Sequence, residues 1–545
     1  MSKSQSRLIQ LLNKGFYPSE LPPPFKVKNY NKIINNIKYD SKYFSTLTQY
    51  NGTTHKGNIR KFGIVNPINY FFLAKYISEN WVNITKIYSL TKCSGARPKF
   101  TNTNSGGRAI EGATIRAKRK HQNHLTSIYP VVLHLDINRF YGSIYTHSIP
   151  WAALGKENAK NLHHKGLLKN DWSNTLDTLL RNCNQQQTIG LPIGPDTSRI
   201  VSEIILSRID HELVSSKKLY SLNSNQIYHN VDDYQIGNSS ISDSENIQSL
   251  FVHVLNKYEL NLNEFKTTIS HGMNSKPEVF QRYFDVLNGK LGTDFIEHFF
   301  EILYNIDLSN KDNNIVGYCL KKFYKSLINN SNQVLLREYL QRLIFAQPYQ
   351  ARWILPVLLN SYKLMTDLND VKKVIVWGVE TSARRNDVVN VLWYLYASIF
   401  LKLNIGKGTC KQCENMSNSL VDVMLFHGKN IGLFSIDVKS LRARYSSSDF
   451  RSSSWLALYE IERKGWDNSK EFKKIGTLDD RNNYFEILRK NDVEFYSDSA
   501  DRFTVGSFDG WNLTKTQQNK YALENKNNIS ELLYNFDDFN DIYDW

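Results

Sequence analysis

Asp232 and Asp233 stand side by side in Asn230-Val231-Asp232-Asp233-Tyr234, within a β-prone run from Ile227 to Ile236 that Gly237 closes. Such a run reads as a hairpin with packed apolar arms and a charged tip. Side chains alternate across a strand, so the two carboxylates should face opposite sides unless a turn redirects one. Well upstream, Val131-Val132-Leu133-His134-Leu135-Asp136-Ile137 is an apolar strand ending in a third carboxylate. A strand-end Asp beside a hairpin-tip Asp makes an all-oxygen site suited to hard divalent cations that also hold triphosphate oxygens. Two such ions about 3.5–4 Å apart form the usual clamp for in-line phosphoryl transfer. The chemistry indicated is phosphoryl transfer at Asp136, Asp232 and Asp233 with two Mg²⁺, or Mn²⁺ in their place.

Those carboxylates need elements to hold them. Gln187 to Arg199 (QTIGLPIGPDTSR) must turn at its Gly and Pro residues, Thr197 and Ser198 can cap a helix, and Ile200 to Leu213 has a clear 3.6 period. A loop that enters a helix N-terminus is a natural surface for phosphates and bases. Beyond the hairpin, Leu255 to Thr267 (LNKYELNLNEFKT) predicts a helix-to-strand turn that Lys266 closes. Phe62 to Trp81 reads as an apolar turn followed by an amphipathic packing helix.

Between these lies a Gly-rich basic segment, Arg97 to His121, carrying Arg97, Lys99, Arg108, Arg116, Lys118, Arg119 and Lys120. A run of this kind is either a solvated face or a surface for a nucleic-acid backbone. The whole chain agrees with a polyanionic partner, with a net charge of +16 over 545 residues. The 31 Tyr, 28 Phe and 10 Trp can stack on bases, although most must fill cores. Five scattered cysteines, with one lone Cys410-Lys411-Gln412-Cys413 pair, predict a reducing compartment rather than a disulfide framework or zinc site. Met1 to Arg7 lacks an apolar signal core and no stretch approaches a membrane span, so a cytoplasmic protein is expected.

From about residue 285 the pattern changes to recurring helix-period segments: Phe295–Ile306, Ile315–Leu327, Val334–Phe345, Arg352–Leu364 and Val388–Leu403. A stack of helix pairs is the economical reading. The last stretch, Glu531 to Trp545, mixes carboxylates with aromatic rings and has no Lys or Arg. The expected division is an N-terminal extension (1–60), a catalytic α+β unit (61–284), an all-α helical-repeat unit (285–525) and an acidic aromatic tail (526–545).

In their order, LDINRFYGSIYTHSIPWAALGKENAK (135–160), GLPIGPDTSRI (190–200), NVDDY (230–234) and the Lys266 turn resemble the palm of reverse transcriptases across roughly residues 60–280. The resemblance implies palm and fingers, with Asp136, Asp232 and Asp233 catalytic and Ile137 counted among the metal-binding residues. Tyr141, five residues after Asp136, implies a ring under the sugar that rejects a 2′-hydroxyl. Arg108, Arg139, Phe140, Pro192, Gly194 and Lys266 join it as the implied nucleotide-binding set, with Lys266 near the leaving pyrophosphate. Arg97, Lys99, Arg116, Lys118, Arg119 and Lys120 are the implied nucleic-acid contacts. One departure stands out: the family places Tyr two residues before the paired Asp residues, and this chain has Asn230. The ring that supports a primer end is therefore missing, which favours unusual priming.

FYGSIYTHSIPWA and GLPIGPDTSRI are similar to the bacterial abortive-infection and defence-associated reverse transcriptases, the AbiK-like group. That likeness implies antiphage defence by DNA synthesis from dNTPs. The product is either linked to a protein hydroxyl or copied from a partner non-coding RNA, and the enzyme forms homo-oligomers. Two alternatives remain open. One is a mobile-element reverse transcriptase of the retron or group II intron type, although no Cys/His endonuclease module is present. The other is a non-enzymatic RNA-binding assembly protein with a relic palm; against it, buried carboxylates are costly without a metal to pair with.

Overall fold

A computed structural model describes residues 2–101, 107–112, 115–216, 222–271, 280–287, 290–309, 314–362, 367–477 and 482–499. The acidic aromatic tail expected over 526–545 lies outside the described residues. Near the N-terminus, α1 (Lys3–Lys14) is capped by the Ser2 hydroxyl, which accepts from the Gln5 amide. A two-stranded antiparallel ribbon follows, β1 (Thr48–Thr53) and β2 (Ile59–Ile64), then α2 (Pro67–Glu79) and α3 (Trp81–Tyr88). Helix α2 starts as its sequence asks, with Pro67 in the first turn and the Asn66 side chain accepting from the Ile68 amide.

Helix α4 (Ile115–Ile128) leads into the central sheet, built from β3 (Val131–Asp136), β4 (Ile227–Asn230), β5 (Asp233–Asn238) and β6 (Thr268–His271) in the order β4-β5-β3-β6. Every neighbouring pair is antiparallel. Two helices complete the motif, Asp196–Ser215 between β3 and β4 and Ile241–Lys257 between β5 and β6. The chain thus runs β-α-β-β-α-β, with β5 inserted between β3 and β4 and β3 inserted between β5 and β6, the ferredoxin-like split arrangement. Strands β3 and β4 are buried almost end to end, so both sheet faces are covered. The Asp196–Ser215 helix is buried on nearly all sides. It carries Asp196, Glu203 and Asp210 into the core, where each needs a partner.

From Gly292 to Lys490 every regular element among the described residues is a helix. The five periodic segments expected after residue 285 all centre on helices; 363–364, at the end of one, lie outside the described residues, and 401–403, at the end of another, follow its last helical residue. Val388–Phe400 is the most deeply enclosed, with Trp393 donating from its indole to the Glu20 carbonyl at 2.8 Å. Residues 1–60 pack against residues near the other end of the described chain. Lys28 and Glu494 exchange backbone hydrogen bonds of 2.8 and 3.0 Å, the Tyr17 hydroxyl donates to the Phe495 carbonyl, and Phe16 packs on Trp455 and Phe495. One continuous buried core runs from Leu8 to Tyr496. No helix among the described residues is long and apolar enough to cross a membrane.

Candidate active site

Strands β4 and β5 pair Asn230 with Asp233, leaving Val231 and Asp232 as a two-residue turn. Tight hairpin turns need a left-handed first residue, and Val231 supplies it at φ 56° although it is β-branched. Such strain persists only where surroundings over-determine it. Here the Val231 carbonyl lies 3.0 Å from His229 Nδ1, and the Asp232 carbonyl accepts from the Ile137 amide at 3.3 Å. On the other side of β5, Asp136 is the register partner of Asp233. Directly opposed residues have Cβ atoms only about 4.5–5.5 Å apart. The turn redirects Asp232, so alternation does not separate the pair, and three carboxylates gather at one end of the sheet.

Burial and mutual repulsion raise the pKa values of Asp232 and Asp233. The Asp232 carboxyl is pushed up to about 7, first by burial and then by the charges of Asp233 and Asp136, with Lys266 opposing. Asp233 keeps an exposed surface yet is densely surrounded; burial and Asp136 raise it, while Lys118 and Lys266 oppose. Asp136 is clamped. Its Oδ2 lies 2.7 Å from Lys266 Nζ, its Oδ1 accepts from Asn263 Nδ2 at 2.8 Å, and its carbonyl accepts from the Asn263 amide at 2.8 Å. Burial would lower the Lys266 ammonium, but the hydrogen bond and charge of Asp136, then Asp233 and Asp232, outweigh it and raise it.

The donor set is all hard oxygen and fits Mg²⁺ or Mn²⁺ chemically, and no described group donates to the Ile137 carbonyl oxygen beside it. The arrangement at hand is an ion-paired one. Among the described residues no three acidic, imidazole or thiol side chains converge at ligating distance, because both Asp136 oxygens are turned to Lys266 and Asn263.

Behind the turn lies a buried network that local sequence patterns do not reveal. His229 and Asp210 are both fully enclosed, with Nε2 to Oδ2 at 3.0 Å; the Tyr234 hydroxyl donates to Asp210 Oδ1 at 3.0 Å and Thr91 to Oδ2 at 3.3 Å. Burial would lower the His229 pKa, yet the charge and hydrogen bond of Asp210, then Glu203 and the Val231 carbonyl, raise it to about 9. The ring is therefore an imidazolium at neutral pH, donating from one nitrogen to Asp210 and from the other to the turn.

The remaining expected residues divide. Tyr141 is buried, its hydroxyl 3.4 Å from Ser202 Oγ and its carbonyl accepting from the Leu191 amide at 2.7 Å. That bond and Gly190 N to Ile144 O (2.9 Å) dock the Gly190–Pro195 loop beside it. Within the loop Pro192 touches Gly63, and Gly194, at φ 124°, leaves no room for a Cβ against Pro18. Arg139 is exposed directly after the Asp136 strand, whereas the Phe140 ring is buried in the core and offers no face to a ligand. Lys118 stands close enough to Asp233 to shift it. Lys120 is exposed; Arg97 and Lys99 lie instead in a separate cleft with Arg7. The side chains of Arg116 and Arg119 lie outside the described residues.

Arg108 is enclosed by the fold. Its guanidinium pairs with Asp196, donates to the Tyr17 carbonyl at 2.6 Å and to the Gly194 carbonyl at 2.7 Å, and is almost covered. The Ala109 amide completes the Asp196 clamp at 3.0 Å. Its donors are engaged inside the fold, where it staples Asp196 to the Tyr17 and Gly194 carbonyls.

Three residues were missed from sequence. Asn263 and Phe265 flank the Lys266 turn, and Phe265 stands wholly in water beside it, 102% exposed. A large ring held in solvent on a turn bonded to Asp136 is a ready stacking face. The third is His229, three positions before Asp232. A spacing signal existed for Asn263 and Phe265, since both share the short turn with Lys266.

No family model matches this sequence, and no curated protein matches it. Among solved structures, apo telomerase from Candida tropicalis aligns at 13% identity over 67% of this chain and 67% of its own, with a TM-score of 0.32. Telomerase from Candida tropicalis in complex with a TWJ fragment of telomeric RNA aligns at 15% over 70% and 65%, TM-score 0.31. Telomerase from Candida albicans in the same kind of complex gives 10% over 65% and 65%, TM-score 0.28. Scores of this size do not establish a shared fold.

Proposed function

We propose that this chain is a nucleic-acid polymerase of the reverse-transcriptase kind, building DNA from dNTPs in the cytoplasm as an antiphage defence. The observation that carries the reading is the β3–β5 register, which sets Asp136 opposite Asp233 with Asp232 in the adjoining turn, at one end of a β-α-β-β-α-β sheet. The order of the sequence motifs supports it further. Asp136, Asp232, Asp233 and the Ile137 carbonyl are the oxygens that would hold two Mg²⁺, or Mn²⁺. Ions held there would supply neutralisation of a triphosphate and activation of an attacking hydroxyl.

The chain's own residues do the rest. Lys266 carries a firmly held proton beside Asp136 and neutralises a phosphate that reaches the site. Arg139 adds a second cation at the strand end. Tyr141 and the docked Gly190–Pro195 loop shape the wall against the sugar and base. With Asn230 where a supporting ring would stand, Phe265 offers the aromatic face.

The test is incorporation of labelled dNTPs by purified protein with Mg²⁺ or Mn²⁺, with and without RNase pretreatment, read on a denaturing protein gel. Label that stays on the protein band after RNase supports protein-primed, untemplated synthesis. Label lost after RNase supports a bound non-coding RNA template. A phage-plating assay with an Asp232→Asn strain reads the defence role. A second reading rests on the Lys266–Asp136 ion pair, an arrangement that serves a non-catalytic RNA-binding assembly protein equally well. No incorporation with either metal would favour it.

A further inference from the structure

A second concave site lies away from the carboxylates, where α1, α3 and residues 97–100 meet. It is a cleft of about 350 Å³ with Trp81, Tyr88 and Phe100 as its aromatic wall and Arg7, Arg97 and Lys99 as its cations. Trp81 and Phe100 meet edge to face at 4.8 Å, and the Arg7 guanidinium sits 5.6 Å from the first ring and 6.0 Å from the second.

These cations make no direct ion pair, although the Arg97 charge also acts on the buried Glu203 carboxyl. No carboxylate pairs with Arg7, Arg97 or Lys99 among the described residues. Burial alone lowers the Arg7 pKa, with no neighbouring acid to offset it. Arg97 spends one donor on the Thr91 carbonyl at 2.6 Å, while its buried Nε has no described partner. From Trp81 to Ile110 the sequence has no Asp or Glu against Lys86, Lys92, Arg97, Lys99 and Arg108, and α1 has none against Lys3, Arg7 and Lys14.

We propose that this cleft binds single-stranded nucleic acid, stacking a base on the Trp81–Phe100 wall and holding the flanking phosphates with Arg7, Arg97 and Lys99. Aromatic faces beside a cationic track are the chemistry that single strands use, because every base has a π-face and every linkage a charge. The cleft is also tied to the hairpin. Cys93 and Gly95, just before it, exchange backbone hydrogen bonds with His229 at 3.1 and 2.9 Å. A strand seated there is one short segment of chain away from the Asp232 turn.

The inference stands on these surface residues and not on the carboxylates, so the two can fail separately. Full-length protein is titrated into fluorescein-labelled oligothymidylate and oligouridylate in EDTA, and anisotropy is read at several salt concentrations. Lys99→Glu and Arg7→Gln should each weaken binding about tenfold and flatten the salt dependence. The two oligonucleotides report whether the strand is DNA, RNA or either. Unchanged affinity in both variants, with thermal melts intact, overturns the proposal. If Arg7→Gln melts early, the exposed Lys99 decides alone. Displacement of the oligonucleotide by equimolar free dTTP would overturn the strand assignment in favour of a mononucleotide pocket.

Discussion

The His229 imidazolium bridges the Asp210 carboxylate and the Val231 carbonyl, 3.0 Å from each, and so anchors the strained residue that precedes Asp232 to the core helix Asp196–Ser215. The ring binds its proton more tightly folded (about 9) than unfolded (about 6.5). Its stabilisation is therefore complete below about pH 6.5 and is lost as pH rises through 9, on the order of 3 kcal/mol in all. Urea melts from pH 6 to 10 should show that loss in the parent and a flatter profile in His229→Gln. A parent curve that is level across this range would refute the charged bridge.

Asp232→Asn keeps shape and removes one of three crowded charges. Nucleotide incorporation should fall to background while the melting temperature holds or rises, because the raised carboxyl reports net repulsion in the folded state. Surviving incorporation would remove Asp232 from the site.

Lys266 competes with any cation for Asp136. Lys266→Met should tighten Mn²⁺ binding about tenfold, since one charge is withdrawn from a half-exposed site. Incorporation should nevertheless drop by about a hundredfold, through loss of the cation or general acid at the leaving group. Calorimetry and single-turnover kinetics separate the two effects, and parallel losses of both would make Lys266 merely structural.

Phe265 makes no core contact, so Phe265→Ala should leave stability within about 0.5 kcal/mol of the parent. Its expected signature is a higher KM for the nucleic-acid strand with kcat little changed, restored by Phe265→Tyr. An unaltered KM would leave the ring without a role.

Arg108 reverses that pattern. Arg108→Ala strands Asp196 in the core and should cost about 3–5 kcal/mol, read by denaturant melts. Arg108→Lys should recover little of this, because a point charge cannot reach the Tyr17 and Gly194 carbonyls and Asp196 together.

What the sequence made legible was local. The alternating run around Asp232 fixed the hairpin, the apolar run before Asp136 fixed β3, and the helix-to-strand turn put Lys266 where it pairs with Asp136. Period and turn chemistry act over a few residues, and these features live on that scale. The Arg108–Asp196 clamp spans 88 residues and His229–Asp210 joins a strand to a helix. Nothing in the neighbourhood of either arginine or histidine announces its partner. Arg108 therefore looked like a loose basic residue, and residues 1–60 like an appendage.

The seam between Lys28 and Glu494, with Tyr17 reaching Phe495 across 478 residues of chain, also governs the protein's birth. At about 5–20 residues per second, a ribosome needs roughly half a minute to a minute and a half to make that intervening length. Until then Phe16 and Tyr17 have only their N-terminal neighbours, such as Tyr30, Tyr70 and Phe25, and lack the cover of Trp455 and Phe495. A polypeptide halted midway leaves open to water the faces of those rings that Trp455 and Phe495 cover in the finished chain.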